Sequence, residues 1–226
     1  MNIKYSQKKQ EMREDPVLEF FFKAKDFVLK NVNILIGAVV VVTVAVGFVF
    51  IYSLIQRSSN EKAEDAFGKA LIDYNNRTLE KAIEGFRVVA ENHHGTSQGI
   101  ISAHMLGGLF FGMGRYDEAI QWFEMAANAK GELGFVGAET QEGLASCYEA
   151  KGKFPQALEH FEKALRDDRI RYRHAAIRWK MALVTQKLND AVRAKALCRE
   201  ILSDTAATEY RQRAENLLAV LESTSG

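Results

Sequence analysis

A long uncharged stretch near the start of the chain most constrains how it can fold. No Asp, Glu, Lys or Arg occurs between Lys30 and Arg57, and residues 34–55 read ILIGAVVVVTVAVGFVFIYSLI. About 20 consecutive apolar residues suffice to cross the hydrocarbon core of a bilayer, and in lipid a helix satisfies its own backbone. The stretch therefore predicts a transmembrane helix over residues 32–56.

A cleaved signal peptide is the alternative to a retained anchor. Signal peptides have an apolar region of about 7–15 residues followed by a small-x-small cleavage site. This apolar run is longer, it follows a long tail, and the bulky residues from Tyr52 to Gln56 offer no such site. We therefore expect the anchor to be retained.

The predicted span separates a tail, residues 1–31, from a large domain, residues 57–226. The tail is rich in lysine, and basic residues beside a span favour the cytoplasmic side, whereas the charges of a large domain count little. Several acidic residues dilute this bias. We expect a cytoplasmic N-terminus and the large domain on the opposite side of the membrane.

The segment DPVLEFFFKAKDFVLKN, just before the span, predicts a short amphipathic helix. Asp15 suits the N-cap and Pro16 suits the first helical position. Phe20, Phe21 and Val28 fall near one face of such a helix. A juxtamembrane helix lying in the membrane interface is one interpretation. A docking helix for a membrane partner is the other.

The large domain contains an internal repeat. Four helix-forming segments share an alanine followed four positions later by a larger residue, and these alanines are Ala82, Ala119, Ala157 and Ala194. They are spaced 37, 38 and 37 residues apart. A regular spacing of this size is typical of repeat architectures.

A second helix-forming segment and a turn precede each repeated alanine. Gly114 and Gly152 mark two of the turns, and Asn76 and Asn189 lie at the other two. Both residue types tolerate left-handed backbone. We also expect the small Gly107 to let its helix approach the following helix closely.

These pairs predict the fold class. One helical pair cannot bury its apolar face alone, so neighbouring pairs stack, and terminal repeats need a polar cap. We predict an all-α fold with a single transmembrane helix, an α-solenoid of about four helical pairs and a C-terminal capping helix at TEYRQRAENLLAVLES.

The pattern Leu-Gly/Ala-x-x-aromatic, then Gly-x-aromatic-x-x-Ala-x-x-x-Phe-x-x-Ala, resembles the tetratricopeptide repeat. The second and third units match it well. In the first unit Lys69 stands in place of the leucine, and in the fourth Cys198 and Ile201 replace the later phenylalanine and alanine. The resemblance covers most of residues 59–203, with units a few residues longer than the usual 34 or so.

The whole arrangement of tail, span and compact repeat domain also resembles the ancillary SecYEG translocon subunit family of bacterial inner membranes. The stretch VVAENHHGTSQGIISAHMLGGLFFGMGRYDEAIQWFEMA carries this likeness around the second repeat. The resemblance implies a periplasmic domain that contacts translocon subunits, a periplasmic chaperone or exported polypeptides. It implies no catalytic residue.

No motif in the sequence predicts enzymatic chemistry. The adjacent His93 and His94 lack the spacing of a metal site. The glycines of GELGFVGAETQEG lack the ending of a phosphate loop, and we expect an inter-repeat loop there. Cys147 and Cys198 leave their pairing open. We expect no catalytic residue, no metal and no cofactor.

The tetratricopeptide resemblance implies that the first helix of each pair lines a concave groove. Mapping by repeat predicts a partner-binding groove of Phe67, Leu71, Tyr74, His104, Phe111, Glu142, Glu149, Trp179 and Gln186. Aromatic residues are common at binding hot spots. The alternative for Phe67 and Phe111 is that they merely pack against neighbouring helices.

The segment RDDRIRYRHAAIRWK concentrates basic residues. It predicts a patch for an anionic partner that consists of Arg166, Arg169, Arg171, Arg173 and Arg178. The alternative is a solvated linker between the third and fourth units. Because the net charge of the chain is only +1, we expect no nucleic-acid partner.

Together these features favour a membrane-anchored protein–protein interaction scaffold of the bacterial inner membrane that assists protein export or periplasmic chaperoning at the translocon. Membrane lipid would contact the single span. The alternative is a structural accessory subunit of another inner-membrane or envelope-assembly complex. Gly37 and Gly47, which are small enough for close helix packing in the span, would suit that role.

Overall fold

The structure is a computed structural model that describes residues 16–129 and 134–223. Every regular element within these ranges is a helix. The helices are α1 (Pro16–Lys30), α2 (Val32–Asn75), α3 (Leu79–Asn92), α4 (Ser97–Gly112), α5 (Tyr116–Ala127), α6 (Gly134–Ala150), α7 (Phe154–Leu165), a 3₁₀ helix (Asp168–Arg173), α8 (His174–Lys187), α9 (Ala191–Ser203) and α10 (Thr208–Ser223). The fold is all-α, as predicted. The predicted N-cap, Asp15, lies outside the described residues.

The chain divides into two compact units, Met1–Arg57 and Ser58–Gly226. Helix α2 begins in the first unit and ends in the second, so the predicted span and the first helix of the first repeat form one uninterrupted helix. By its length and composition α2 could cross a membrane, and its most apolar window is fully exposed. Membrane crossing by α2 stays a prediction.

The first unit also contains α1. At its end the side-chain amide of Asn31 donates a hydrogen bond of 2.8 Å to the carbonyl oxygen of Phe27. Asn31 is a turn residue that separates α1 from α2. An amphipathic helix was predicted here, and α1 lies at this place in the sequence.

In the second unit the four turns within the helical pairs have the same geometry. Arg115 N–H donates to the carbonyl of Phe110 at 2.9 Å, and Lys153 N–H donates to that of Tyr148 at 2.8 Å. The corresponding bonds of the first and fourth pairs, from Thr78 to Asp73 and from Asp190 to Thr185, are both 3.0 Å. A bond to the carbonyl five residues earlier closes a helix in the Schellman motif. The four turns therefore share one hydrogen-bonding pattern.

Each of these turns needs one residue in the left-handed region. Gly114, Gly152 and Asn189 take it with φ of 73°, 70° and 58°, as predicted. In the first pair it is Arg77, with φ of 60°, and not the predicted Asn76. The repeat spacing decides the position, because Arg77 precedes Gly114 by one repeat.

The repeat-defining residues form the core of the second unit. All four alanines, at positions 82, 119, 157 and 194, are fully buried. The larger residues that follow them by four positions, Phe86, Phe123, Phe161 and Cys198, are buried as well. This agreement explains the period, since the small and the larger position of every repeat are both buried in the core.

Gly107 lies against the following helix, and its nearest neighbour there is an aromatic ring. A Cβ atom at Gly107 would lie 2.6 Å from the Phe123 ring, and one at Gly143 would lie 2.5 Å from it. The ring of Phe123 on α5 therefore fits between two glycines, one on α4 and one on α6. Both glycines leave room for this aromatic ring.

Two segments expected to be irregular are helical. An inter-repeat loop was expected over residues 131–143. Residues 134–143 instead open α6, where Val136, Ala138 and Thr140 are buried, and residues 131–133 lie outside the described residues. The predicted linker at the basic segment is the 3₁₀ helix followed by α8, which Ile170 and Ile177 fasten to the core. Helix α10 packs on α9 at the predicted position of the capping helix.

Candidate partner-binding groove

A cleft of about 230 Å³ lies on the first helices of successive pairs. Helices α4 and α6 supply most of its lining, and the 3₁₀ helix and α8 close one side. The residues that line it are His104, Gly108, Phe111, Phe123, Glu139, Glu142, Gly143, Ser146, Arg173 and Lys180. One part of the lining is aromatic and glycine-rich and the other is charged, so it could accept both an apolar side chain and hydrogen-bonding groups.

Glu142 is the central charged group of the cleft. Its side chain is 5% exposed, and its two carboxylate oxygens accept hydrogen bonds from Arg173 Nε at 2.7 Å and Lys180 Nζ at 2.8 Å. Burial opposes ionisation of this carboxyl, but the hydrogen bonds from the two cations outweigh that effect and lower its pKa. The hydrogen bond between Arg173 and Glu142 also raises the pKa of the Arg173 guanidinium.

These bonds tie three elements together. Glu142 belongs to α6, Arg173 to the 3₁₀ helix and Lys180 to α8. A shift of the third pair against the fourth would separate the buried carboxylate from a cation and leave its desolvation penalty uncompensated. The hydrogen bonds of Glu142 therefore fix the register of the two pairs. Lys180 also lies 3.4 Å from Ser146 Oγ, which continues the polar side of the cleft.

His104 forms the opposite side of the cleft. Its Nδ1 lies 3.0 Å from the hydroxyl of the fully buried Thr140, and its ring centroid lies 5.5 Å from that of Phe123. Burial lowers the pKa of His104, the positive charge of Arg173 acts in the same direction, and Glu139 opposes both. The neutral imidazole therefore bridges α4 and α6.

The structure brings together only part of the predicted groove. His104, Phe111 and Glu142 line the cleft, and Arg173, which was assigned to the basic patch, joins them. Glu149 lies nearby on α6, where it forms an ion pair of 3.4 Å with Lys187. The half-buried Gln186 does not line this cleft.

The predicted groove residues of the first and fourth pairs lie elsewhere. Phe67 and Tyr74 pack their rings 5.7 Å and 6.3 Å from Phe86, so the packing alternative describes Phe67. Trp179 packs against the hydrophobic core beside α9. Leu71 is 36% exposed and remains available on α2. Large side chains at these positions serve the core as well as the surface.

The predicted basic patch is largely neutralised by neighbouring carboxylates. Arg169 pairs with Asp167 at 2.7 Å, Arg178 pairs with Glu200 at 2.9 Å, and Arg173 is bound to Glu142. Arg166 and Arg171 are exposed. The patch therefore presents a weaker positive field than its sequence suggests.

Sequence reasoning missed Lys180, Glu139 and Ser146. A signal for Lys180 was present, because Glu142 and Lys180 are 38 residues apart, as are Glu149 and Lys187. Opposite charges about one repeat apart face each other when equivalent helices stack. No pattern of this kind in the sequence indicates that Glu139 and Ser146 line the cleft.

The two cysteines do not contribute to the site. Cys147 and Cys198 are both buried and free, and they belong to different core clusters. Burial raises the pKa of the Cys147 thiol to about 12 and also raises that of Cys198. Both thiols therefore stay protonated and unreactive at neutral pH.

Comparison with known proteins agrees with the repeat geometry. Residues 100–170 match the family model of the tetratricopeptide repeat. This segment of the chain carries tetratricopeptide repeats. The matched region includes the second and third pairs, in which the predicted pattern was most complete. This repeat fold is typical of non-catalytic scaffolds for protein–protein interaction.

One curated relative is similar over a short segment. Sixty residues of this chain are 37% identical to TPR repeat-containing protein YpiA of Bacillus subtilis (strain 168). The segment spans 26% of this chain and 14% of that relative. The likeness therefore concerns the repeats and not the whole protein.

Solved structures share the solenoid. The MamA protein superposes with a TM-score of 0.59 at 15% identity, over 74% of this chain and 83% of that one. A tetratricopeptide repeat protein from Parabacteroides merdae gives 0.59 at 17% identity, over 73% and 61%. PilF of Pseudomonas aeruginosa gives 0.51 at 20% identity, over 70% and 72%. At these identities the likeness shows the fold alone.

Proposed function

We propose that this protein is a membrane-anchored interaction scaffold of the bacterial cell envelope that binds polypeptide segments in the cleft between His104 and Lys180. The cleft carries the proposal, because it places an aromatic wall beside hydrogen-bonding groups on the first helices of adjacent repeats. Binding sites in proteins combine such apolar surfaces with a few fixed polar groups.

The location is proposed from α2. Its apolar part is long enough to span a bilayer, and it continues directly into the first repeat. The basic tail favours a cytoplasmic N-terminus and a periplasmic repeat domain. In this position the cleft would meet chains that leave the membrane, which supports a role in export or periplasmic chaperoning at the translocon.

Protease accessibility tests the location. In spheroplasts of cells that contain the full-length protein, added protease should digest the repeat domain, whereas sealed inside-out vesicles should protect it. The opposite pattern of protection would contradict the proposed orientation. Release of the protein by alkaline carbonate would contradict the anchor.

Copurification tests the partners. The full-length protein, extracted in mild detergent, should elute with translocon subunits, a periplasmic chaperone or exported polypeptides. Stoichiometric recovery of a different inner-membrane complex would instead favour the accessory-subunit role. That result would be strengthened if a bulky residue at Gly37 in the span abolished the association, since no described side chain fills the space beside it.

A further inference from the structure

We propose that α1 lies in the membrane surface and is covered by lipid over most of its circumference. The inference concerns the surface of α1 rather than the repeat cleft, and it rests on the proposed anchor. The four phenylalanines Phe20, Phe21, Phe22 and Phe27 are 61–68% exposed. A cluster of this kind marks an interaction surface in a folded protein.

The charges of α1 occupy one narrow stripe. Glu19, Lys23, Asp26 and Lys30 follow one another at intervals of four, three and four residues. At about 100° of rotation per residue these positions fall within an arc of about 60°. Within this stripe Lys23 forms an ion pair of 2.7 Å with Glu19, one turn away.

The apolar side chains cover most of the remaining circumference. They form three pairs, each separated by two helical turns, namely Phe20 with Phe27, Phe21 with Val28, and Phe22 with Leu29. Successive pairs are rotated by about 100°, so together they span an arc of about 220°. Lys25 alone interrupts this surface.

The width of the apolar surface favours lipid over a protein groove. A helix that docks in a groove presents one stripe of anchors at i, i+3, i+4 and i+7. A protein partner for α1 would have to enclose it on three sides. Lipid does so without any specific contact, because an interfacial helix sinks its apolar face into the boundary between headgroups and acyl chains.

Two further observations support lipid as the occupant. Only Asn31 separates α1 from the apolar part of α2, so a spanning α2 would hold α1 at the membrane. The long stem of Lys25 can lie along apolar surface while its ammonium group reaches the headgroups. The three lysines of α1 exceed its two acids, which suits anionic headgroups.

Site-directed spin labelling of the full-length protein in vesicles of phosphatidylethanolamine and phosphatidylglycerol tests this inference. Labels at Phe21→Cys and Leu29→Cys should be more accessible to oxygen, which partitions into lipid, than to a water-soluble nickel chelate. Lys23→Cys on the charged stripe is the matched control and should show the reverse. The buried native cysteines should remain unlabelled.

A label at Val42→Cys, within the apolar part of α2, distinguishes failure of the inference about α1 from failure of the proposed anchor. Oxygen access at Val42 together with nickel access at Phe21 would overturn the inference and leave the anchor intact. Nickel access at Val42 would overturn both the inference about α1 and the proposed anchor. Low access of both reagents at Phe21 would indicate a protein cover and would also overturn it.

A measurement in native membranes completes the test, since purified vesicles lack other proteins. A photo-crosslinking amino acid in place of Phe21 should label phospholipid, and the same substitution at Lys23 should label it less. A discrete protein adduct formed from Phe21 and not from Lys23 would overturn the inference in favour of a docking partner.

Discussion

The carboxylate of Glu142 lies 2.8 Å from the ammonium group of Lys180, which belongs to the next repeat along the chain. The Glu142 side chain is buried, whereas Lys180 is 37% exposed. The ion pair therefore joins the interior of one repeat to the surface of the next.

Glu142→Gln should destabilise the repeat domain. The substitution leaves Arg173 and Lys180 without their carboxylate, and because both cations keep partial contact with water we expect a loss of about 2 kcal/mol. Glu149→Gln is the matched control on the same helix, and its exposed pair with Lys187 should cost at most about 1 kcal/mol. Denaturant unfolding of the full-length protein in detergent, followed by tryptophan fluorescence, measures both. Equal losses would contradict the central role of Glu142.

The contribution of Glu142 should depend on pH. Its pKa is lower in the folded chain than the ordinary value of 4.5, so the stabilisation is fully present above that value. It is lost as the pH falls through the folded pKa, because the unfolded chain binds the proton first. The stability difference between wild type and Glu142→Gln should therefore shrink below about pH 4.5. A constant difference from pH 7 to pH 3 would contradict this assignment.

His104 should make the domain less stable as the pH falls below 6.5. Its pKa is lower in the folded chain than that ordinary value, so the unfolded chain binds a proton that the folded chain excludes. One such group changes stability by at most about 1.4 kcal/mol per pH unit. His104→Gln should flatten the dependence between pH 7 and pH 5. His160, whose pKa is lowered by burial, accounts for part of the remaining slope.

Gly107→Ala and Gly143→Ala should each destabilise the domain by about 1–3 kcal/mol, because the added methyl group meets the Phe123 ring in a packed core. Gly108→Ala on α4 is the matched control. Nothing lies within 4 Å of its added Cβ, so the change should be neutral or stabilising through helix propensity. Thermal unfolding compares the three variants. Relief of the Gly107→Ala defect by Phe123→Leu would identify the ring as its cause.

The left-handed turn of the first pair offers a stabilising substitution. Arg77→Gly should raise the free energy of unfolding by about 1 kcal/mol, since glycine adopts positive φ without a Cβ clash. Gly114→Arg, at the equivalent turn of the second pair, should lower it by a similar amount. Chemical denaturation measures both changes. Destabilisation by Arg77→Gly would show that a contact of the Arg77 side chain stabilises the chain by more than the positive φ destabilises it.

The repeat architecture was predictable because its signals are local and recur. Small residues at positions such as Ala119 and Ala157 and the turn glycines repeat at one spacing, and that spacing locates the helices. The cleft was only partly predictable. Mapping by repeat named three residues that line the cleft, His104, Phe111 and Glu142, since equivalent positions face the same way.

The remainder depends on contacts between distant segments. The sequence does not show that Arg173 turns toward Glu142 while Arg178 turns toward Glu200, because neighbouring arginines look alike until the 3₁₀ helix orients them. Trp179 is equivalent to Glu142 by repeat, but it is partly buried against the hydrophobic core. The shift from Asn76 to Arg77 shows that spacing outweighed residue preference at a turn.

Photo-crosslinking in intact cells tests the central claim most directly. A photoreactive amino acid at Phe111 in the cleft should give discrete adducts with translocon subunits, a periplasmic chaperone or exported chains. At Val192, which is 83% exposed on α9 outside the cleft, it should give none of them. The same adducts from both positions, or adducts at Phe111 with unrelated complexes only, would contradict the account.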